Sequence, residues 1–363
     1  MLIFGLTFTH EGFLAIFGNR MGTFFLTYDY ITLLLLTGTF KDTFFDGHSS
    51  SLLSEPYRFL MYSIIIIAVV YILIMSQTRR LIKTRRLLKE KEQALDQIEK
   101  QKMRLEMRDK NITDSLNYAQ KIQEALLPSE GYFRRHFKNS FIFFKPKDIV
   151  SGDFYWIGEK GDKIFVVGAD CTGHGVPGAL MSIIGREIIE KTINQENIED
   201  PSAILAVVNK ELEMTFTSEK NIGTIIHDGM DIGLCVINKH NRTIEYSGAF
   251  FPLYLIRDNK LIEIKGDKII IGMNPAGERY TVHKIEILED DILYIFSDGY
   301  IDQFGGAANK KFMYRRFRYL LLKIHRFPVE DQKAILEENI NTWMGKNIQV
   351  DDIMVIGFKP LGI

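Results

Sequence analysis

Four short stretches combine an aspartate with a nearby glycine or a second acid, and these residues could do chemistry. They are Ser151-Gly152-Asp153-Phe154, Ala169-Asp170-Cys171-Thr172-Gly173-His174-Gly175, Phe296-Ser297-Asp298-Gly299 and Val350-Asp351-Asp352. Apolar runs precede three of them, at 164–167, 292–296 and, more weakly, 348–350. Glycine next to an acid lets the backbone turn sharply. The pattern therefore predicts carboxylates presented at strand ends.

Carboxylate groups gathered in this way suit hard divalent cations. Mg²⁺ and Mn²⁺ prefer carboxylate, carbonyl and water oxygens, and a pair of such ions can activate water for attack on phosphorus. A single Asp-Gly pair such as Asp298-Gly299 is more often an ordinary turn than a ligand. Four acids at the boundaries of strand-like runs are harder to explain as unrelated turns. We interpret them as one metal site.

Composition limits the possible class of protein. The chain has 363 residues, 45 basic and 46 acidic side chains and 46% hydrophobic residues, which is enough for one sizeable domain with attached segments. The balanced charge gives no indication of nucleic-acid binding. Cys171 and Cys235 match no metal-binding spacing, so they indicate a reducing compartment rather than a nucleophile or a disulfide.

The first 76 residues predict association with a membrane. Residues 1–58 form an apolar region without clear periodicity, in which 21–40 could be a first membrane helix that carries the charge of Asp29. Residues 59–76 predict a transmembrane helix, although a buried helix of a soluble protein could have a similar composition. Arg79, Arg80, Lys83, Arg85, Arg86 and Lys89 follow directly. By the positive-inside rule, the rest of the chain is then cytoplasmic at the cell inner membrane, and the basic cluster could also bind anionic lipid.

Residues 77–127 predict a coiled-coil helix. The segment contains neither proline nor glycine before Pro128. Its heptad positions include Leu81, Leu88, Leu95, Ile98, Leu105, Ile112, Ala119, Leu126 and several polar residues. Because such a long amphipathic helix cannot bury its own stripe, we expect a parallel homodimer that carries a signal, with a plain spacer as the alternative.

Residues 128–363 predict an α+β domain. Strand-like runs occur at 141–144, 164–167, 232–237, 243–246, 253–256, 261–264, 284–287, 292–296 and 353–358, and helix-like runs at 177–194, 201–216, 311–325 and 329–344. Hairpin turns are predicted at 239–242 and 258–260. Many strands with a few long helices indicate a mixed sheet or sandwich with helices packed outside.

The four acidic stretches, together with the run Ala119-Gln120-Lys121-Ile122-Gln123-Glu124-Ala125-Leu126-Leu127-Pro128, resemble the bacterial SpoIIE-type (stage II sporulation protein E-like) metal-dependent phosphatases of the PPM superfamily. The resemblance covers about residues 110–358. It implies a four-layer α-β-β-α sandwich, two Mn²⁺ or Mg²⁺ ions, and serine/threonine phosphatase activity on a phosphorylated regulatory protein such as an anti-sigma-factor antagonist.

The resemblance also implies roles for individual residues. Asp170 matches the bridging aspartate, and the Cys171 carbonyl matches an adjoining ligand. Asp298 matches a ligand of the second metal. The resemblance further implies that Asp351 is a ligand, that Asp352 is a ligand or its supporting partner, and that Asp153 binds the first metal directly or through water. The expected catalytic set is Asp153, Asp170, Asp298 and Asp351.

Several residues keep two interpretations. His174 could protonate the leaving oxygen or be structural. Asp228 and Asp231 could line the cleft, although the start of a strand is the favoured interpretation. The basic segment 310–318 predicts a helix that either docks substrate or is solvated. Phe250 and Phe251 stand where related chains usually carry a polar pair, which bears on substrate fit.

These observations support a membrane-anchored phosphoprotein phosphatase regulated through its coiled coil. The expected partners are a phosphorylated regulatory protein, the membrane and a second copy of the chain, with no nucleic acid. One alternative is an inactive phosphatase-like domain that serves as a dimeric membrane scaffold. A soluble metallohydrolase acting on small phosphate esters is a third interpretation, and it conflicts with the apolar segment 59–75.

Overall fold

The computed structural model describes residues 55–217, 228–273 and 279–361. The predicted first membrane helix at 21–40, and most of the apolar region 1–58, lie outside the described residues. The chain divides into two compact units, the first ending at Lys100 and the second covering Gln101–Ile363.

A single long helix, α1 (Glu55–Leu126), contains 72 residues. Its length follows from the sequence, because Pro56 lies in the first turn, where proline is tolerated, and neither proline nor glycine occurs between Pro56 and Pro128. The helix is unbroken at the predicted boundary between the transmembrane and coiled-coil segments, residues 76 and 77. Among the described residues, one helix is long and apolar enough to cross a membrane. Its most apolar window has a mean hydropathy of 2.3 and no buried residues.

The heptad stripe of α1 remains open to solvent. Leu88, Leu95, Ile98 and Leu105 are each more than half exposed. The part of the chain that the structure describes therefore leaves this apolar stripe uncovered. Burial of the stripe by a second copy stays a prediction.

The second unit is an α+β domain. Its helices are α2 (Glu130–His136), α3 (Gly175–Asn194), α4 (Pro201–Thr217), α5 (Gly299–Asp302), α6 (Tyr314–Ile324) and α7 (Val329–Met344). Its strands are β1 (Ser140–Lys145), β2 (Asp153–Lys160), β3 (Lys163–Cys171), β4 (Met230–Asn238), β5 (Thr243–Ala249), β6 (Leu253–Arg257), β7 (Lys260–Ile264), β8 (His283–Glu286), β9 (Ile292–Phe296), β10 (Phe304–Gly305), β11 (Lys310–Lys311) and β12 (Ile353–Phe358). The predicted hairpin turns at 239–242 and 258–260 join β4 to β5 and β6 to β7.

Two five-stranded antiparallel sheets form the centre of this domain. One has the strand order β1-β12-β9-β6-β7 and the other β2-β3-β4-β5-β8. Side chains such as Val166 and Ile295 belong to a core between the sheets. Helices α3 and α4 cover the outer face of the second sheet, and α5, α6 and α7 cover that of the first. The predicted four-layer α-β-β-α sandwich is confirmed.

Strands with both faces buried explain the near-continuous apolar runs in the sequence. Every residue of β9 and of β12 is buried. Alternate side chains enter different cores: Leu293 faces the other sheet, whereas Tyr294 packs under the helices of its own sheet. Burial on both sides removes the polar alternation that marks a half-exposed strand.

The sequence predictions of individual elements were wrong at three places. Strand β2 was not predicted, because Asp153 was interpreted as lying at the end of a strand, whereas it is the first residue of β2. Residues 348–350 form no strand, so Asp351 precedes its strand instead of ending one. The helix predicted from residue 310 or 311 begins at Tyr314, because Lys310–Lys311 pair with Phe304–Gly305 as the β10–β11 hairpin and Met313 has a left-handed φ of 73°.

Candidate active site

Antiparallel pairing brings the aspartates of the second sheet together. Asp153 begins β2 and is paired with Asp170 near the end of β3. Asp170 is also paired with Asp231 on β4. Side chains directly opposite one another on one face have Cβ atoms about 4.5–5.5 Å apart. Three carboxylates therefore stand in a row at one end of this sheet.

The same geometry operates in the first sheet. Asp298 lies two residues beyond the end of β9, and Asp351 lies two residues before β12. A Cβ built on Gly299 would stand 1.9 Å from the carbonyl oxygen of Asp352, so the two loops touch and only glycine fits there. The start of one strand thus lies beside the end of its neighbour. The prediction that every acid lies at the end of a strand was wrong for Asp153 and Asp351, which lie at the starts of β2 and β12. Each nevertheless lies beside the end of the neighbouring antiparallel strand, β3 or β9.

Ser297 links the two sheets at the site. Its hydroxyl donates to Oδ2 of Asp153 over 2.6 Å and accepts the backbone N–H of Met354 over 3.0 Å. Ser297 and Asp153 are both about 1% exposed. A buried carboxylate of the second sheet is therefore fixed by a residue of the first sheet.

Burial and mutual repulsion raise the pKa values of these acids. Burial is the largest cause at Asp153 and Asp170, whose pKa values lie well above the ordinary value, and neighbouring aspartates add to it. Burial and the charge of Asp298 raise the pKa of Asp231 to about 6. Burial, then Asp302 and Asp351, raises the pKa of Asp298 to about 6. Burial also raises the pKa of Asp351.

Asp352 has a different environment from Asp351. Its two carboxylate oxygens accept the backbone N–H groups of Lys147 and Gly152, each over 2.7 Å, and the side chain is only 3% exposed. Asp351 is less buried, and its Oδ1 accepts the Asp352 N–H over 2.9 Å. Of the two roles expected for Asp352, this geometry favours support of the loop before β2 over direct metal binding.

The loop after β3 is held tightly against its surroundings. Gly173 and Gly175 have left-handed φ angles of 82° and 69°. The Cys171 carbonyl oxygen lies 3.4 Å from the Cβ position of Gly152, so it faces the loop that carries Asp153. Burial raises the pKa of the Cys171 thiol well above its ordinary value, which agrees with a structural cysteine rather than a nucleophile.

Thr172 connects this loop to the beginning of β4. Its N–H donates to the Gly229 carbonyl over 2.9 Å, and its hydroxyl accepts the Gly229 N–H over 3.0 Å. The same hydroxyl lies 3.2 Å from Oδ1 of Asp228. These bonds extend the register that places Asp170 beside Asp231.

Asp231 is the site residue that sequence reasoning undervalued. The favoured interpretation, that this stretch starts a strand, is correct because β4 begins at Met230. Its second residue nevertheless faces Asp170 across the sheet. The available signal was the stretch Asp228-Gly229-Met230-Asp231, which combines aspartate with glycine as three of the four acidic stretches do.

His174 stands at the N-cap of α3 and is half-exposed. Its Nδ1 lies 2.8 Å from Oδ2 of Asp148. The charge of His174 lowers the pKa of Asp351, which places the ring within electrostatic reach of the acidic cluster. Asp148 therefore orients the ring and leaves its Nε2 as the nitrogen that a substrate could use.

Most cations of the segment 310–318 are bound within the domain. Lys311 pairs with Asp302 over 2.7 Å, and Arg318 pairs with Glu263 over 2.7 Å while its Nε donates to the Tyr254 hydroxyl. Arg316 lies over the Trp343 ring. These contacts weaken the interpretation of the segment as a free docking helix.

The two phenylalanines in place of a polar pair have different environments. Phe251 is 3% exposed in the core between the sheets, and its carbonyl accepts the Tyr246 hydroxyl. Phe250 is 46% exposed with a left-handed φ of 50°, and it pairs with Ile232, the residue after Asp231. Of these two phenylalanines, only Phe250 is exposed enough to contact a bound protein.

The donor set fits hard divalent cations. Within the described ranges, no three His, Cys, Asp or Glu side chains already form a closed metal-binding group. The cluster nevertheless gathers carboxylates whose pKa values are raised by burial and by one another. The charge of Lys311 lowers the pKa of Asp298, and the charges of Lys147 and His174 lower the pKa of Asp351. The repulsion among the carboxylates of β2, β3 and β4 is less compensated by nearby cations. A bound cation would remove this repulsion.

Comparisons with known proteins agree with the fold. A family model described as "Stage II sporulation protein E (SpoIIE)" matches residues 160–360. The SiaA-PP2C domain of Pseudomonas aeruginosa is 32% identical, with a TM-score of 0.62 over 69% of this chain and 97% of that one. The PP2C phosphatase domain and regulatory-domain fragment of SpoIIE from Bacillus subtilis is 17% identical, with a TM-score of 0.49 over 61% and 62% of the two chains. No curated protein matches the chain. The matched range spans the positions of Asp170, Asp231, Asp298 and Asp351 and begins after Asp153.

Proposed function

This chain belongs to the SpoIIE family and is a serine/threonine protein phosphatase, and from that premise we propose that it is a membrane-anchored enzyme acting on a cytoplasmic regulatory phosphoprotein. The observation that carries the proposal is the meeting of Asp153, Asp170 and Asp231 from one sheet with Asp298 and Asp351 from the other. Fold alone does not assign a reaction, so the proposal is supported by this group of acids at the end of the sandwich.

Two Mn²⁺ or Mg²⁺ ions are the cofactors that this site would hold. Asp153, Asp170, Asp298, Asp351 and the Cys171 carbonyl are the proposed ligands. Asp231 joins them on the strength of its pairing with Asp170, and Asp352 supports the loops. When bound, such ions stabilise charge on a phosphoryl group and lower the pKa of water towards neutrality.

The protein's own residues position the reacting groups. Ser297 holds Asp153 against the first sheet, and the loop bonds of Thr172 keep Asp170 in register with Asp231. His174, oriented by Asp148, donates a proton from Nε2 to the departing serine or threonine oxygen of the substrate. The enzyme needs no cysteine nucleophile, and the buried Cys171 and Cys235 thiols are unsuited to that role.

The membrane anchor is proposed from α1. Large apolar side chains between Leu60 and Met75 are exposed, and a run of exposed basic residues follows them from Arg79 onwards. This order favours a transmembrane segment with the phosphatase domain on the cytoplasmic side of the inner membrane. The open heptad stripe favours a homodimer through the coiled coil, which would transmit the regulatory signal.

A phosphatase assay on the full chain in detergent micelles tests the proposed reaction. Wild type and Asp170→Asn are compared on a generic phosphoserine peptide, with Mn²⁺ and with chelator. We expect Mn²⁺-dependent release of phosphate from wild type and a loss of at least about a hundredfold in Asp170→Asn. Metal binding by a folded wild type without turnover would instead support a scaffold. An anti-sigma-factor antagonist is the substrate class to test next.

A further inference from the structure

Gln303 is a completely buried glutamine, and both the nitrogen and the oxygen of its side-chain amide form hydrogen bonds. Its Nε2 donates to the carbonyl oxygens of Phe304 and Ile348 over 3.1 and 3.0 Å. Its Oε1 accepts the backbone N–H of Val350 over 3.1 Å. The side chain therefore grips the segment 348–350 from both its donor and its acceptor end.

The backbone of Gln303 is fixed equally firmly. Its carbonyl accepts the Trp343 indole N–H and the Phe312 N–H, each over 3.0 Å. With three side-chain bonds and two backbone bonds, Gln303 cannot move without leaving buried polar groups unpaired.

The position of Gln303 in the chain connects it to two proposed ligands. Asp298 stands at the N-cap of the single-turn helix α5, and Gln303 is the residue that ends that turn. The segment it grips runs directly into Asp351. At the other end of α5, Gly299 rests on the Asp352 backbone. Helix α5 is therefore attached at both ends to the loop that carries Asp351.

We infer that Gln303 is a positioning residue that sets the separation of Asp298 and Asp351 and thereby the affinity of the site for divalent cations. This inference rests on the proposed function, because it assumes that both aspartates bind metal. Two carboxylates that repel each other need an external restraint to stay close before metal arrives. The amide of Gln303 supplies that restraint without contacting metal or substrate.

Gln332 offers a matched control. It is also a buried amide, 1% exposed, with the same number of side-chain bonds. Its Oε1 accepts the Tyr294 hydroxyl, and its Nε2 donates to the carbonyls of His325 and Phe327. Gln332→Met therefore removes equivalent hydrogen bonds from the same domain and leaves the 348–350 segment untouched.

The experiment measures Mn²⁺ binding calorimetrically, with thermal melting, on the full chain in detergent micelles for wild type, Gln303→Met and Gln332→Met. Both variants should melt at lower temperature than wild type. Only Gln303→Met should bind Mn²⁺ more weakly, by about 10–100-fold, the range expected when a group that orients metal ligands is lost. Equal Mn²⁺ affinity in the two variants would overturn the inference.

Two further outcomes of this experiment can be distinguished from each other, namely a wild type that binds no Mn²⁺ and a Gln303→Met variant that does not fold. If wild type itself binds no Mn²⁺, the proposed metal site fails and this inference fails with it. If Gln303→Met does not fold, Gln303→Glu replaces it, since that variant keeps an acceptor for the Val350 N–H and loses the donor to Ile348. A raised Mn²⁺ dissociation constant in Gln303→Glu supports the inference, and a wild-type value overturns it.

Discussion

The side-chain amide of Gln123, one turn before the end of α1, is hydrogen-bonded to both backbone polar groups of Ser151. The Ser151 N–H donates to Oε1 over 3.0 Å, and Nε2 donates to the Ser151 carbonyl over 2.6 Å. Nε2 also donates to the Ser182 hydroxyl on α3 over 2.9 Å. The Ser151 hydroxyl in turn accepts the Asp153 N–H over 3.0 Å. The end of the helix is thus two hydrogen bonds from an acid of the site.

Replacing Gln123 should therefore reduce catalysis. Gln123→Ala leaves the buried N–H of Ser151 without its partner, and it leaves the Ser151 carbonyl with only the Ser182 hydroxyl, 3.5 Å away. An unpaired buried group costs about 1–3 kcal/mol. Because the displaced loop carries Asp153, we expect kcat and Mn²⁺ affinity to fall by at least about tenfold. Steady-state kinetics over a range of Mn²⁺ concentrations measures both.

Gln120→Ala is the control for that change. Gln120 lies one turn earlier on the same helix, and its Nε2 donates only to the exposed Glu124. Exposed pairs of this spacing contribute about 0.2–0.5 kcal/mol, so Gln120→Ala should have wild-type kinetics. Equal effects of the two substitutions would show that the bond to Ser151 carries no function.

Asp231→Asn tests the residue that sequence reasoning undervalued. Because Asp231 stands beside Asp170, its loss should lower Mn²⁺ affinity by about 10–100-fold. Removing one carboxylate from a repulsive cluster should also raise the melting temperature of the metal-free protein. Calorimetry and thermal melting in chelator give the two values.

Asp162→Asn removes a carboxylate from an exposed turn between β2 and β3, and it is the matched control. It should change neither Mn²⁺ affinity nor the melting temperature in chelator. If Asp231→Asn behaves in the same way as Asp162→Asn, then Asp231 has no part in metal binding.

The sign of the pH dependence follows from the raised pKa values. The pKa of an aspartate in an unfolded chain is about 3.9, whereas the pKa of Asp298 in the folded protein is about 6. Between these values the folded state holds the extra proton, so the contribution of Asp298 to the free energy of unfolding falls as pH rises through this window. Asp298→Asn removes this contribution.

In chelator, Asp298→Asn should therefore melt at a higher temperature than wild type near about pH 7.5, and the difference should shrink towards about pH 4.5. With Mn²⁺ present, the order should reverse near neutral pH, because metal stabilises only the chain that binds it well. Melting curves at the two pH values, with and without Mn²⁺, measure this. A difference in chelator that grows towards acid pH would contradict the assigned protonation of Asp298.

The sequence predicted the four-layer fold better than the placement of individual acids. The runs at 164–167 and 292–296 identify β3 and β9 correctly, because a strand buried on both faces is recognisably apolar. Strand β2 is harder to recognise, because it begins with an acid, Asp153, and ends in Gly158, Glu159 and Lys160. Without β2, the pairing of Asp153 with Asp170 could not be foreseen.

Register was the information missing from the sequence. A carboxylate before a strand and one after a strand look different in sequence, yet antiparallel pairing makes them neighbours. Asp231 was judged only by its own turn-like surroundings, since nothing local reveals which residue lies across from it. The supporting role of Asp352 likewise depends on two backbone N–H groups that are distant in sequence.

The exposed stripe of α1 predicts a parallel homodimer that cysteine cross-linking can detect. Ile98 belongs to the stripe and is 60% exposed, whereas Lys100 lies on the opposite side of the helix and pairs with Asp96. In a parallel coiled coil, equivalent seam residues of the two chains face each other closely enough for a disulfide. The native Cys171 and Cys235 are buried, so they should not interfere. Under mild oxidation of the full chain in micelles, Ile98→Cys should form a covalent dimer and Lys100→Cys should remain monomeric. Equal cross-linking of both variants, or of neither, would contradict a dimer along this stripe and favour the spacer helix.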